Sequence, residues 1–62
     1  MNINTWEDAY NFLEWCVGVS TETLDFAFSI CGHNMETANK ILDFYTGYRS
    51  FMQYIEDMGI EG

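Results

Sequence analysis

Cys16, Cys31 and His33 are the only thiols and the only imidazole in the chain, so any soft-metal or thiol chemistry would have to start from them. A zinc site needs about four ligands drawn from close pairs, and these three residues form neither a Cys-x-x-Cys nor a His-x-x-x-His pair. Helix numbering puts Cys16 and Cys31 in the apolar arcs of different helices, where a free cysteine acts as a small hydrophobe, so both are expected as core thiols. His33 follows Gly32 in a turn and reads as a polar loop residue. Carboxylates are plentiful, but a working acid and base pair needs a pocket that drives two pKa values apart, and so short a chain has little volume for one. There is no glycine-rich phosphate loop and no Gly-x-Ser-x-Gly elbow. The sequence therefore reads as non-enzymatic, with no metal and no cofactor.

Charge is the stronger signal. Ten Asp and Glu face only Lys40 and Arg49, giving a net charge of −8 over 62 residues. Direct binding of nucleic acid is excluded, because phosphate contacts come mainly from Lys and Arg. Disorder is excluded too: 48% of the chain is hydrophobic, with two Trp, four Tyr and five Phe, whereas disordered acidic tails lack such residues. No apolar run reaches the roughly 18 residues of a membrane span, and the start Met1-Asn2-Ile3-Asn4 lacks a basic n-region. With two cysteines the sequence reads as a reduced, cytoplasmic chain, not a disulfide-stapled secreted one.

The elements follow from glycines and caps, for there is no proline. Gly18, Gly32, Gly47 and Gly59 recur at intervals of one short helix plus a turn. Start signals stand at Thr5-Trp6-Glu7-Asp8, at Ser20, at Asn34, and at Ser50-Phe51-Met52-Gln53, the last a capping box with Gln at N3. These predict helices near residues 6–17, 21–31, 35–46 and 51–58. At about 100° per residue the first gathers Trp6, Ala9, Tyr10, Phe12, Leu13, Cys16 and Val17 on one side, leaving Trp15 among Glu7, Asp8, Asn11 and Glu14. The third gathers Met35, Ala38, Ile41, Leu42 and Tyr45. The second, with Leu24, Phe26, Ala27, Phe28, Ile30 and Cys31, is apolar on most of its surface and is expected to be the central, best-buried helix. No segment alternates with period two. The fold class is all-α, a single helical domain over residues 1–62.

The stretch Val17-Gly18-Val19-Ser20-Thr21-Glu22-Thr23-Leu24, then Ala27-Phe28 through Gly32-His33-Asn34-Met35-Glu36-Thr37-Ala38 and Ile41-Leu42, resembles a ubiquitin-associated (UBA-type) three-helix domain over about residues 9 to 45. Gly18 matches that family's loop glycine, Ala27-Phe28 its Ala-Leu pair, and Asn34, Glu36 and Ala38 the start of its third helix. The resemblance implies three UBA-like helices with a fourth appended at the C-terminus, and ubiquitin or protein binding. The family's loop methionine and aromatic, which contact ubiquitin, are Val17 and Val19 here. In general look, tiny, acidic and rich in aromatics, the chain is also similar to small early proteins of phages and mobile elements.

The expected function rests on where the charges fall. Glu7 and Glu14 stand seven residues, and so about 10.5 Å, apart on the first helix, and Glu36 and Asp43 repeat that spacing on the third. Asp8, Glu22 and Asp25 extend the field, with Glu56, Asp57 and Glu61 beyond. A negative surface of this kind suits a basic groove built for nucleic acid. The expectation is an inhibitor of anti-restriction or anti-CRISPR type that competes with nucleic acid for a basic host nuclease or DNA-binding protein. A solvated acidic face, which merely keeps an apolar chain soluble, is the plainer alternative. Trp15, Tyr48 and Arg49, with Phe44, are candidate interface anchors, since Trp, Tyr and Arg dominate interface energetics. Trp15 is either exposed or covered by the fourth helix. A homodimer sealed by Trp15 or by Met52 and Met58 is the remaining alternative.

Overall fold

The computed structural model describes residues 3–60, and within them the chain is all-α with no strand. Helix α1 spans Trp6–Phe12 and runs directly into a π-helical turn, Leu13–Val17. Helices α2 (Thr21–Cys31), α3 (Met35–Thr46) and α4 (Phe51–Met58) follow. Three starts carry side-chain caps: Thr5 accepts from the Asp8 amide, Ser20 from the Thr23 amide and Asn34 from the Thr37 amide. Each satisfies one of the amides that a helix start leaves without a partner. Ser50 makes no such bond, contrary to the capping box expected there. The Gln53 side chain instead donates to Asp57 Oδ1 at 3.2 Å, one turn further on, and is not turned back toward Ser50.

The core comprises Ala9, Phe12, Leu13, Val19, Leu24, Phe28, Ala38, Ile41, Leu42 and Phe51. Helix α3 supplies three of these and packs on α1, on the π turn and on α2, so it is the central helix. The sequence reading had given that place to α2. Only Leu24 and Phe28 of α2 are fully buried; Phe26 and Ile30 face solvent at 69% and 66% exposure. An apolar composition fixed no single face on α2, and the four-residue spacing of Leu24 and Phe28 selected one stripe for the core, where Phe28 meets the Trp6 and Tyr10 rings of α1. Helix α4 closes the end of the bundle through aromatic contacts. Phe12 meets Phe51 at 5.5 Å and Tyr54 at 5.8 Å between ring centroids, both edge to face.

The π turn corrects a second expectation. The Gly18 amide bonds the Leu13 carbonyl at 2.9 Å, five residues back, and Val19 shares the same acceptor at 2.9 Å. A wider turn rotates the chain by less than the usual 100° or so per residue, and the lag accumulates past Leu13. Cys16 is thereby carried off the core-facing arc into solvent. Gly18 ends the turn at φ 89, a left-handed conformation that suits glycine and lets the chain reverse so that Val19 enters the core. Cys31, at the end of α2 beside Ile30, is also exposed. Neither thiol is the core group that helix numbering had made it.

Candidate functional site: the acidic surface and an aromatic cleft

Of the carboxylates singled out in the sequence, Glu7, Asp8, Glu22, Asp25, Glu36 and Asp43 are exposed, while Glu14 lies half-buried on the π turn. Glu36 carries the described residues' single ion pair, with Lys40 Nζ at 3.7 Å from Glu36 Oε1, one turn along the exposed side of α3. An exposed pair of this kind is worth under about 1 kcal/mol but halves the local charge on that helix. Asp8 Oδ2 accepts from the Asn4 amide at 3.4 Å and so belongs to the start of α1. Arg49 is exposed, beside a shallow cleft lined also by Asn39, Ser50 and Met52.

The interface candidates divide in the same way. Trp15 is 81% exposed, so α4 does not cover it, and Phe44 is 85% exposed. Tyr48 is half-buried, with its ring against Tyr54 at 5.4 Å, and belongs to the packing between α3 and α4. Met52 and Met58 are exposed. The unpredicted members are Phe26 and Ile30, whose four-residue spacing on α2 puts them on one outward stripe.

A further cluster escaped the sequence reading. Trp6, Glu7, Tyr10, Asn11, Asp25, Phe28 and His33 line an open cleft of about 340 Å³ between α1 and α2. Phe28, 1% exposed, forms its floor. The Trp6 ring lies 5.5 Å from Phe28 and the Tyr10 ring 5.9 Å from it. His33 sits edge-on to Trp6 at 5.0 Å and stacks on Phe28 at 5.9 Å, with 24° between the planes. Gly32 makes that placement: at φ 109 and ψ 153 it adopts backbone open to glycine alone, and an added Cβ would stand 3.0 Å from Asn34 Nδ2. Tyr10 donates its hydroxyl to Asp25 Oδ1 at 2.8 Å, tying α1 to α2 across the cleft. That hydrogen bond, followed by desolvation and the charges of Asp25 and Glu14, holds the Tyr10 phenol above its ordinary value of 10.0. Only half of this cluster is visible as spacing: Trp6 and Tyr10 are four residues apart on α1, whereas Asp25 and His33 reach them from α2 and the turn after it.

Fold and surface together define a small all-α protein with a closed core, an acidic exterior and several uncovered aromatics. Among the described residues no group of three or more His, Cys, Asp or Glu is arranged to hold a metal ion, and no helix is long and apolar enough to cross a membrane. Comparison with known proteins finds no matching family model, no matching curated protein and no matching solved structure.

Proposed function

We propose that the protein is a non-enzymatic inhibitor of phage or mobile-element type, in the manner of anti-restriction and anti-CRISPR proteins. Its acidic exterior competes with nucleic acid for the basic groove of a nuclease or DNA-binding protein. The observation that carries this reading is the sign imbalance: eight of the nine described carboxylates are exposed and one of them is ion-paired. A face that serves only solubility normally mixes both signs, and the self-repulsion of −8 on so small a body costs stability that Lys or Arg would relieve. The uncovered Trp15 and Arg49 supply the residue types that anchor an interface once electrostatics has brought the partners together.

The test is recovery of a basic partner from a host lysate at graded salt, followed by affinity measurement on the purified pair. Affinity should fall steeply as salt rises, and charge reversal at Glu22, Glu36 and Asp43 together should weaken binding more than Trp15→Ala does. Affinity that is the same at low and high salt would refute electrostatic competition.

A second reading is a UBA-type protein-binding module. It is supported by Gly18 at φ 89 in the loop before α2, by the Asn34 cap on α3 and by the full burial of Ala38, each at a position where that family's pattern asks for it. Val19, at the place of the family's contact aromatic, is 2% exposed, which leaves the loop without that contact. Titration with ubiquitin, following backbone amide signals, decides the matter: unmoved signals at Val17, Gly18 and Leu42 exclude ubiquitin binding through this surface.

A further inference from the structure

The cleft between α1 and α2 has the makings of a receptor for a planar cation. Its walls are the rings of Trp6, Tyr10 and His33, packed on the buried Phe28 beneath them with centroid separations of 5.0–5.9 Å. Aromatic faces carry negative quadrupole density and attract a cation within about 6 Å of the centroid, tryptophan most strongly. At the rim stand two exposed carboxylates, Glu7 and Asp25. Asp25 is fixed in place by the Tyr10 hydroxyl at its Oδ1, 2.8 Å away, which leaves its other oxygen unengaged among the described contacts. A volume of about 340 Å³ is at the small end for a ligand pocket and suits one side chain better than a cofactor.

From these features we infer that the cleft binds the guanidinium group of an arginine side chain. Guanidinium is the cation that uses both halves of the site. Its flat face stacks on the aromatic rings while its edge donates forked N–H bonds to carboxylates. A quaternary ammonium would use the rings but leave the carboxylates without donors, and a lysine ammonium, compact and strongly hydrated, gives up more hydration to enter. A neutral or anionic ligand meets two carboxylates at the rim. The proposed function enters only in naming the source of the arginine, a basic protein partner; recognition of guanidinium by the cleft stands without it.

The experiment uses the intact chain and a pair of capped tripeptides, Gly-Arg-Gly and the same peptide with citrulline, which is isosteric but uncharged. The two indole N–H signals report separately, Trp6 from the cleft and Trp15 from open solvent. The arginine peptide should shift the Trp6 indole and the His33 ring signals saturably and leave Trp15 in place, with at least ten-fold weaker binding of the citrulline peptide. Asp25→Asn, which keeps the shape of the side chain and an oxygen to accept from Tyr10, should weaken the arginine peptide about ten-fold, as expected for loss of one charge-assisted hydrogen bond. A joint Glu36→Gln and Asp43→Asn variant, with the acidic groups removed from α3, should bind as the parent does. Equal loss in both variants would reduce the effect to general charge attraction and overturn the site. So would tetramethylammonium binding as tightly as the arginine peptide, or no movement of the Trp6 and His33 signals up to tens of millimolar peptide. Because the peptides need no partner protein, their result is independent of the lysate recovery: failure there with binding here removes the competitor role and keeps the cleft.

Discussion

Phe26 and Phe28 are two residues apart on α2, identical in chemistry and opposite in environment, at 69% and 1% exposure. Truncating Phe28 to alanine removes the floor on which Trp6, Tyr10 and His33 rest, and large-to-small changes at buried phenylalanines cost about 3–5 kcal/mol. Small domains of this length have a total stability of about 3–9 kcal/mol, at about 0.05–0.15 kcal/mol per residue, so Phe28→Ala should remove between about a third and all of it. Phe28→Leu, which keeps most of the apolar volume, should cost about 1–2 kcal/mol and keep a cooperative transition for measurement. Phe26→Ala removes no buried contact and improves helix propensity by a few tenths of a kcal/mol, so its midpoint should stay within about 0.5 kcal/mol of the parent. Urea unfolding followed by helical circular dichroism gives all three values. Equal destabilisation by Phe26→Ala and Phe28→Leu would refute the one-sided burial of α2. If the Phe26→Ala loss also grew with protein concentration, it would show that Phe26 is buried against a second copy.

Three further outcomes follow from local geometry. Spectrophotometric titration should find two tyrosines, Tyr10 and Tyr48, ionising above 10.0, and Asp25→Asn should lower the Tyr10 value alone; because the folded-state value is raised, the stability that the Tyr10 contact adds is complete below pH 10 or so and is lost as pH climbs through it. Cys16 and Cys31 should both react with an aromatic disulfide reagent in the native protein nearly as fast as in denaturant, whereas thiols that react only on unfolding would return them to the core. Gly18→Ala, where a methyl meets no atom within 4 Å, should cost only the backbone strain of a left-handed alanine, about 1–2 kcal/mol, and a cost near zero would mean that the turn after the π segment rearranges freely.

The elements were legible where a local signal acts alone. Ser20 and Asn34 mark the starts of α2 and α3, and Gly32 and Gly47 their ends, because a cap or a glycine is read from two or three neighbouring residues. What failed needed phase or partners. The π turn has no signature in residue type, yet it moves Cys16 out of the core. Thr37, which is not among the apolar residues that periodicity gathers on α3, is buried; its hydroxyl donates to Asn34 Oδ1 at 3.2 Å and so enters the core satisfied. Helix α2 was assigned the centre from its composition, whereas burial is decided by how many neighbours a face meets, and α3 meets more of them. The cleft joins Trp6 and Tyr10 to Asp25 and His33 across a turn, a relation that spacing along one helix cannot contain.

The uncovered aromatics are not the residue of an unfinished fold. A radius of gyration of 10.5 Å matches the roughly 10.5 Å of a compact chain of this length, and a surface of 4142 Å² matches the roughly 4,100 Å² of a folded monomer of 7.2 kDa. The core is therefore closed by Phe28, Leu42 and their neighbours without help from Trp15, Phe26 or Phe44, and leaving those three in water lowers solubility with no return in stability. The high negative charge offsets that cost by keeping copies apart, so acidity and exposed aromatics act on the same problem from opposite sides. Like charge opposes any contact between two such surfaces, while a partner of opposite charge meets attraction at long range and rings at close range. That asymmetry is the physical ground on which a basic partner is proposed in place of a second copy.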